Sequence, residues 1–211
     1  MFITFEGLDG SGKTTQYQRS ATWLRERGLD VLTLREPGGT RIGDQIREIL
    51  HNRAHTEMDA RAELLLYAAS RAQLVSERIQ PHLQKGGVVL CDRYADSTVA
   101  YQGYARGLDL TFLDTLIQFA THGVKPDLTV YLDIKPEVGM RRRMHGQGEI
   151  NRLDVEKIDF HTRVYQGYHA LIGQEPKRWV IINADRPVGD VAEQIRTALE
   201  LRLATQAGST T

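Results

Sequence analysis

Five short apolar runs, separated by segments of helix length, constrain the fold more than any other feature of this chain. The runs are MFITF (1–5), DVLTL (30–34), GVVLC (87–91), LTVYL (128–132) and WVIIN (179–183). Nearly continuous apolar runs are typical of strands in a parallel sheet, because helices cover both faces of such a sheet. The alternation of strand and helix therefore predicts right-handed crossovers and a three-layer α/β sandwich.

Helical periodicity fills the intervals between these runs. It predicts helices at about residues 13–27, 43–51, 57–80, 110–121, 136–144, 154–173 and 188–204. The 211 residues suffice for one domain with a sizeable core, so we expect a single domain over 1–211. The stretch RRRMHGQGEINR at about 141–152 interrupts the pattern with charge and two glycines. We expect a short mobile flap there and call it the lid.

Composition excludes several classes of function. Lys plus Arg and Asp plus Glu each total 27, so the formal net charge is zero, which argues against a general nucleic-acid binder. Cys91 is the only cysteine, so neither an intrachain disulfide nor a cysteine-based metal site is possible. The N-terminus lacks the pattern of a signal peptide, and no apolar run approaches the ~20 residues of a membrane span. We expect a cytoplasmic protein without membrane or nucleic-acid partners.

A glycine-rich loop follows the first apolar run. In GLDGSGKTT, the residues Gly7, Gly12, Lys13 and Thr14 match G-x-x-x-x-G-K-[ST], in the strand–loop–helix context that this P-loop motif requires. The loop N–H groups and the positive end of the following helix favour phosphate. Lys13 would neutralise the β- and γ-phosphates, and the Thr14 hydroxyl would ligate Mg²⁺. The motif predicts a nucleoside triphosphate with Mg²⁺ but does not name the phosphate acceptor.

Asp92 and Arg93 directly follow the apolar run at 87–91. Open parallel sheets bind ligands beyond the carboxyl ends of their strands, so both side chains should face the mouth of the P-loop. Asp92 would support the Mg²⁺ shell through water, and Arg93 offers a bidentate fork to a phosphate. An ordinary surface ion pair is the alternative interpretation.

A second cluster predicts a site for a base. Tyr67 and Arg71 are four residues apart, so a helix places them on one face, where the ring can stack and the guanidinium can donate to a base carbonyl. The amide of Gln102 both donates and accepts, which matches an imide N–H beside a carbonyl. Thymine and uracil carry that pattern, whereas the amino group of cytosine would meet the Arg71 donors. By themselves, Tyr67 and Arg71 favour the structural alternative, a half-buried tyrosine and an exposed arginine on a helix.

Seven segments occur in the order seen in bacterial thymidylate kinases: FEGLDGSGKTT, REPGGT, LLLYAASRAQ, DRYADSTVAYQG, YLDIKPEVGMRRR, NRLD and FHTRVYQGY. The chain thus resembles that family over nearly its whole length. The resemblance implies transfer of the γ-phosphoryl group of Mg·ATP to dTMP, giving dTDP and ADP for dTTP synthesis. It also implies a P-loop nucleoside-monophosphate-kinase-like fold with a five-stranded parallel sheet in the order 2-3-1-4-5, and a homodimer.

The resemblance assigns roles to residues on the acceptor side. Arg93, aided by Arg47, should hold the acceptor monophosphate. Asp9 should accept a hydrogen bond from the sugar 3′-hydroxyl, and Tyr101 should crowd the 2′ position and so favour deoxyribose. The other implied dTMP-binding residues are Glu36, Pro37, Tyr67, Arg71, Ser97, Thr98 and Gln102. Tyr67 replaces the Phe common in the family, and Thr98 stands where Ser is frequent, which leaves the fit around the base edge open.

On the ATP side the implied residues are the P-loop positions Gly7, Gly10, Ser11, Gly12, Lys13, Thr14 and Thr15. None of the variable P-loop positions is basic, so the positive charge that phosphoryl transfer needs must come from elsewhere. The resemblance is to the class whose lid supplies it, with Arg152 on the phosphates and Arg142 stacked on adenine. Arg141 and Arg143 are expected to be solvated. A basic patch for RNA or another partner is the alternative for this run.

Two rival functions fit parts of the sequence. A deoxynucleoside kinase would need a carboxylate base for a sugar hydroxyl, and Glu36 could serve, but Arg93 and Arg47 would then hold no acceptor phosphate. A nucleotide-driven switch would leave the base-reading cluster idle, and the N-K-x-D motif of a guanine-binding switch is absent from the sequence. Phosphate transfer to a monophosphate, without net hydrolysis, would separate the kinase from the switch.

Overall fold

A five-stranded parallel sheet forms the centre of the computed structural model, which describes residues 1–146 and 150–207. The strands are β1 (Phe2–Glu6), β2 (Val31–Arg35), β3 (Val88–Asp92), β4 (Leu128–Asp133) and β5 (Trp179–Asn183). Their order is β2-β3-β1-β4-β5, with every neighbouring pair parallel. The predicted sheet and its order are confirmed, and every strand lies within one residue of its predicted bounds.

Helices surround this sheet. They are α1 (Lys13–Glu26), α2 (Arg41–His51), α3 (Ala60–Leu74), α4 (Gln80–Gln84), α5 (Ala95–Thr98), α6 (Leu110–Thr121), α7 (Pro136–His145), α8 (Ile158–Gln174) and α9 (Val188–Ala207). A π-helical turn, Val75–Ile79, joins α3 to α4, so the helix predicted at 57–80 begins later and ends later than expected. Within residues 1–146 and 150–207, no helix is long and apolar enough to cross a membrane.

The sequence did not predict the helical segment at 95–105, in which a π-helical turn, Val99–Ala105, continues α5. Its Val, Thr, Tyr and Gly residues have weak helix propensity, and we interpreted the stretch only as a ligand site. Such π-helical turns are frequent at functional sites, where they shift side chains relative to a regular helix. Here the turn directs both Tyr101 and Gln102 into buried positions.

The alternation of side chains in the strands builds a core on each face of the sheet. Phe2 and Val89 pack in one cluster with apolar residues of α3 and its π-helical turn. Ile3, Phe5 and Leu90 belong to a second cluster, which includes residues of α1, α8 and α9. Successive residues of a strand point to opposite faces, so each run must be apolar throughout.

The parallel register brings the ends of three strands to one edge of the sheet. Asp92 pairs with Phe5 of β1 on one side and with Arg35 of β2 on the other. The loops that follow β1, β2 and β3 therefore leave the sheet side by side. This edge carries the P-loop, the segment beginning at Glu36 and the segment beginning at Arg93, and it positions the candidate site.

Candidate functional site

The loop between β1 and α1 has the backbone geometry that a P-loop requires. Gly10 and Gly12 have φ angles of 79° and 87°, in the left-handed region that favours glycine. Lys13 begins α1, and its Nζ donates to the carbonyl oxygens of Gly7 at 3.0 Å and Leu8 at 2.8 Å. The ammonium group thus lies over the loop, at the positive end of the helix, where it can face a phosphate.

Thr14 and Asp92 meet beside this loop. The Thr14 hydroxyl donates to Oδ2 of Asp92 at 3.1 Å. Hydroxyl and carboxylate oxygens suit Mg²⁺, which usually takes one or two protein ligands and completes its shell with water and substrate phosphates. No group of three or more His, Cys, Asp or Glu side chains within residues 1–146 and 150–207 is placed to hold a metal ion. The oxygens of Thr14 and Asp92 fit the ligand preference of Mg²⁺.

Arg93 is fixed by four side chains at the carboxyl edge of the sheet. Its Nη2 donates to Oδ1 of Asp9 at 2.8 Å and to the Tyr101 hydroxyl at 3.2 Å. Its Nη1 donates to Oγ of Ser97 at 3.1 Å and to the Tyr168 hydroxyl at 3.2 Å. The backbone of Arg93 has a φ of 69°, unusual for a residue with a side chain. The guanidinium is consequently held in place before any ligand binds.

The charges of this cluster favour an ionised carboxylate beside the P-loop. Burial opposes the ionisation of Asp9, but the Arg93 and Lys13 cations hold its pKa well below the ordinary value. Nζ of Lys13 lies 3.9 Å from Oδ1 of Asp9. Burial, together with the Arg93 cation, lowers the pKa of Lys13 to about 8. Asp9 is therefore an acceptor at neutral pH and Lys13 a cation.

Glu6 is a buried carboxyl behind Arg93 that the sequence analysis did not single out. It accepts hydrogen bonds from the Tyr94 backbone N–H at 2.8 Å, from Oγ of Ser97 at 2.6 Å and from the Tyr168 hydroxyl at 2.7 Å. Burial raises its pKa to about 7, and the Asp96 carboxylate acts in the same direction. A charged residue ending an otherwise apolar strand was the signal that could have identified it. Glu6 orients two of the groups that hold Arg93.

Arg71 lies inside the protein rather than on a helix surface. Its Nε donates to Oε2 of Glu36 at 2.8 Å, its Nη1 to Oγ1 of Thr98 at 2.9 Å and its Nη2 to the Tyr94 carbonyl oxygen at 3.1 Å. Only 2% of Arg71 and 5% of Glu36 is exposed, so the ion pair is fully enclosed. Burial raises the pKa of Glu36 despite the neighbouring Arg71 cation. Both side chains nevertheless line the cleft described below.

The other predicted acceptor-side residues surround this pair. Nη1 of Arg47 donates to the Pro37 carbonyl oxygen at 3.0 Å, which holds the arginine at the cleft mouth. Tyr67 is half-buried and presents its ring to the cleft. His51 also lines the cleft, although nothing in the sequence distinguished it from other polar residues of α2. Burial and the Arg47 cation lower the pKa of His51 to about 4, so its imidazole is neutral at neutral pH.

Gln102 is anchored by a carboxylate that the sequence analysis missed. Its Nε2 donates to Oε1 of Glu63 at 2.8 Å, and Arg106 donates to both oxygens of the same carboxylate at 3.3 Å. Glu63 is 1% exposed. Burial opposes its ionisation, but these donors and Arg152 hold the pKa of Glu63 below its ordinary value. A lone Glu before the run LLLY was the available signal.

The structure describes the lid except for residues 147–149, so that part of the predicted flap lies outside the described residues. Arg142 donates to the Ala184 carbonyl oxygen at 2.9 Å and to Oδ1 of Asp185 at 2.7 Å. Arg143 was predicted to be solvated, and this is wrong, because Asp154 accepts from its Nε at 2.9 Å and its Nη2 at 2.8 Å. The buried Asp154 thereby ties the two ends of the lid together. Arg141 is exposed, as predicted.

Arg152 points away from the P-loop. Its Nη2 forms an ion pair with Oε2 of Glu63, and its Nε donates to the Leu50 carbonyl oxygen at 3.3 Å. The structure thus places this arginine between α2 and α3. Its predicted contact with phosphates is not among these contacts, and its role in catalysis stays a prediction.

The predicted residues converge on one cleft of about 580 Å³. All of the predicted site residues line it except Gly7, Ser11 and Arg152. The P-loop stands at one end and the pocket around Arg71 and Gln102 at the other, with Arg93 lining the same space. The cleft therefore brings the P-loop, a fixed guanidinium and a polar pocket beside the Tyr67 ring into a single volume.

Comparisons with known proteins agree with this geometry. The family model described as thymidylate kinase matches residues 5–195. A thymidylate kinase of Roseiflexus castenholzii is 50% identical over 97% of this chain and 94% of its own length. One from Geobacillus thermodenitrificans is 49% identical, over 94% and 89%. A crystal structure of thymidylate kinase from Ehrlichia chaffeensis superimposes with a TM-score of 0.78 at 32% identity, covering 95% of this chain and 98% of that one.

The match spans almost the whole chain, and it includes every segment that lines the cleft. The chain belongs to the thymidylate kinase family.

Proposed function

We propose that this protein transfers the γ-phosphoryl group of Mg·ATP to the phosphate of dTMP, giving dTDP and ADP. The observation that carries the proposal is that Lys13 of the P-loop, the fixed Arg93 and the buried Arg71–Gln102 pocket line one cleft. Two phosphate-binding centres in one volume suit a donor and an acceptor that both carry phosphate. Family membership supports the same reaction.

ATP binds at the P-loop. The N–H groups of the loop from Gly7 to Thr15 surround its β- and γ-phosphates, and Lys13 exchanges its two carbonyl contacts for phosphate oxygens. Thr14 and Asp92 are the residues that would hold Mg²⁺. When bound, the ion neutralises charge on the β- and γ-phosphates. Arg142, which lies against Ala184 and Asp185, covers the adenine.

dTMP lies across the rest of the cleft. Arg93 and Arg47 bind its phosphate, and the ionised Asp9 accepts a hydrogen bond from the 3′-hydroxyl. Tyr101, whose hydroxyl is held by Arg93, closes the space beside the 2′ carbon against ribose. The base enters the pocket lined by Glu36, Pro37, Tyr67, Arg71, Ser97, Thr98 and Gln102.

The chemical step needs alignment and positive charge more than proton transfer. A phosphate monoester has a second pKa of about 6, so dTMP attacks as a dianion without a general base. Lys13 and Arg93 hold donor and acceptor in line within the cleft. Arg152 is the lid residue assigned to the transferring phosphate. Its present ion pair with Glu63 must open before it can reach the phosphates.

Apolar side chains on α2, α3 and α6 support a homodimer. Ile42 and Ile49 of α2, Leu65 of α3 and Phe112 and Phe119 of α6 are exposed, and Phe119 is 83% exposed. These helices pack side by side, so a second copy could bury the patch.

The chain acts as one domain over 1–211, in the cytoplasm and without a nucleic-acid partner, in keeping with its balanced charge.

A coupled assay of ADP release with Mg·ATP tests the reaction against dTMP, dUMP, dCMP, UMP and thymidine. We expect strong turnover with dTMP, about fivefold weaker turnover with dUMP, since one buried methyl group is worth ~1 kcal/mol, and little with the others. Turnover with thymidine but not dTMP would make the protein a deoxynucleoside kinase with Glu36 as base. That outcome conflicts with the enclosed Glu36–Arg71 pair. ADP release independent of any acceptor would identify a nucleotide-driven switch.

A further inference from the structure

Glu63 collects three donor side chains from two separate parts of the chain. Gln102 comes from the π-helical turn after α5, Arg106 from the residue that follows that turn, and Arg152 from the end of the lid. Glu63 itself does not line the cleft, whereas Gln102 does. The carboxylate therefore lies directly behind one of the groups that would contact a base.

The charge of Glu63 dictates which way the Gln102 amide faces. An ionised carboxylate can only accept hydrogen bonds. With two guanidinium groups on it and a lowered pKa, Glu63 is ionised at neutral pH. If the Gln102 amide were reversed, two acceptor oxygens would lie 2.8 Å apart. The NH₂ group of Gln102 must therefore point to Glu63, and Oε1 is the acceptor that the amide can offer to the cleft.

We propose that Glu63 is a positioning residue for base selection, which acts by locking the Gln102 amide with its oxygen available to the base. This inference rests on the proposed function and adds the origin of its selectivity. Thymine carries a hydrogen on N3 and can donate to an acceptor, whereas N3 of cytosine is itself an acceptor. A fixed acceptor at Gln102 thus favours dTMP and leaves N3 of dCMP facing a second lone pair.

The substitution Glu63→Gln should reverse this lock. Oε2 of Glu63 receives N–H groups from both Arg106 and Arg152, whereas Oε1 receives a cationic donor from Arg106 alone, at 3.3 Å. The single oxygen of the new side chain should therefore take the place of Oε2, where two cations meet. Its NH₂ group then occupies the place of Oε1, against Gln102. The Gln102 amide must turn round to accept from it and offers N–H donors to the cleft instead. Those donors oppose N3–H of thymine and match N3 of cytosine.

The test compares kcat/KM for dTMP and dCMP in the full-length wild-type and E63Q proteins. We expect the dTMP-to-dCMP ratio to fall about tenfold or more in E63Q, because the hydrogen-bond pattern at one buried position is inverted. The proposal is overturned if kcat/KM falls equally for both nucleotides, since that is what loss of structure alone would produce. Absence of dTMP turnover in the wild-type protein would instead contradict the proposed function.

Three further variants separate positioning from a structural role. Glu156→Gln removes a carboxylate that pairs with Arg106 at 2.6 Å without touching Gln102, and it should keep the wild-type ratio. Glu63→Asp retains an acceptor-only group and should also keep the ratio even if its stability is lower. E63D serves as the test if E63Q does not fold, and a large fall of the dTMP-to-dCMP ratio in a folded E63D would overturn the proposal. In a Q102M background, E63Q should no longer change the ratio, because its effect passes through Gln102.

Discussion

The two ends of the cleft are built in different ways. At the phosphate end, a single loop and the start of α1 form the P-loop, and the hydrogen bonds of Lys13 go to backbone carbonyls only five and six residues away. At the base end, Arg71 is held by Glu36, Thr98 and the Tyr94 backbone, which lie 35, 27 and 23 residues away in sequence. The first site is local backbone geometry, and the second is a network of enclosed side chains.

This difference predicts how each end fails. A side chain removed from the phosphate end leaves the loop and the core in place, so activity should fall while stability changes little. A side chain removed from the base end leaves a buried charge or donor without its partner, so stability should fall together with activity.

Lys13→Met should show the largest change, a fall in kcat of about 10³-fold, because the transferring phosphate loses its nearest fixed cation. The free energy of unfolding should change by less than about 1 kcal/mol, since the methionine stem fills the same space. ADP release and urea denaturation measure the two quantities. Lys125→Met, at an exposed lysine 4.0 Å from Glu175, is the control and should change neither. A loss of stability that matches the loss of activity would contradict the expected difference between the two ends of the cleft.

Arg71→Met should lower the free energy of unfolding by about 3 kcal/mol, because Glu36 is left as an unpaired charge inside the protein. Urea denaturation measures the loss. The double variant E36Q/R71M carries no buried charge at this place and should be more stable than R71M alone. If the double variant were the less stable of the two, the pair would not be the source of the effect.

Gly10→Ala and Gly12→Ala are a matched pair within the P-loop. Both glycines have positive φ, which should cost about 1 kcal/mol for alanine at either position. A Cβ at Gly12 meets no atom within 4 Å, whereas one at Gly10 would collide with the carbonyl oxygen of Gly139 in α7. G10A should therefore be less stable than G12A by about 1–3 kcal/mol. Equal unfolding free energies would show that α7 moves aside at low cost.

The smallest effect should be a pH dependence at the phosphate end. The free enzyme's Lys13 has a pKa lowered to about 8, so above that pH it becomes neutral and attracts phosphate less. We expect kcat/KM for ATP to decline above pH 8, while kcat at saturating ATP declines only at higher pH, because bound phosphate stabilises the ammonium form. A flat kcat/KM profile up to pH 10 would contradict this assignment.

Much of this architecture could be predicted from the sequence. Apolar runs located all five strands to within one residue, and the P-loop was identified from contiguous letters. The helical segment at 95–105 was missed because tertiary packing outweighs its weak propensity. Glu6 and Glu63 were also missed, since an isolated acidic residue beside apolar neighbours does not reveal which donors will surround it. The solvated state predicted for Arg143 was wrong for the same reason.

The sheet and the P-loop follow from the amino-acid sequence alone, because strand burial and loop conformation depend on residues that are neighbours along the chain. Which partner each buried charge takes depends on how the elements pack in three dimensions. Gln102 and Arg152 reach Glu63 across 39 and 89 positions, and those contacts exist only after α3, the turn following α5 and the lid have packed together. A buried charge must be paired, and the fold selects its partner from whatever donors lie in reach.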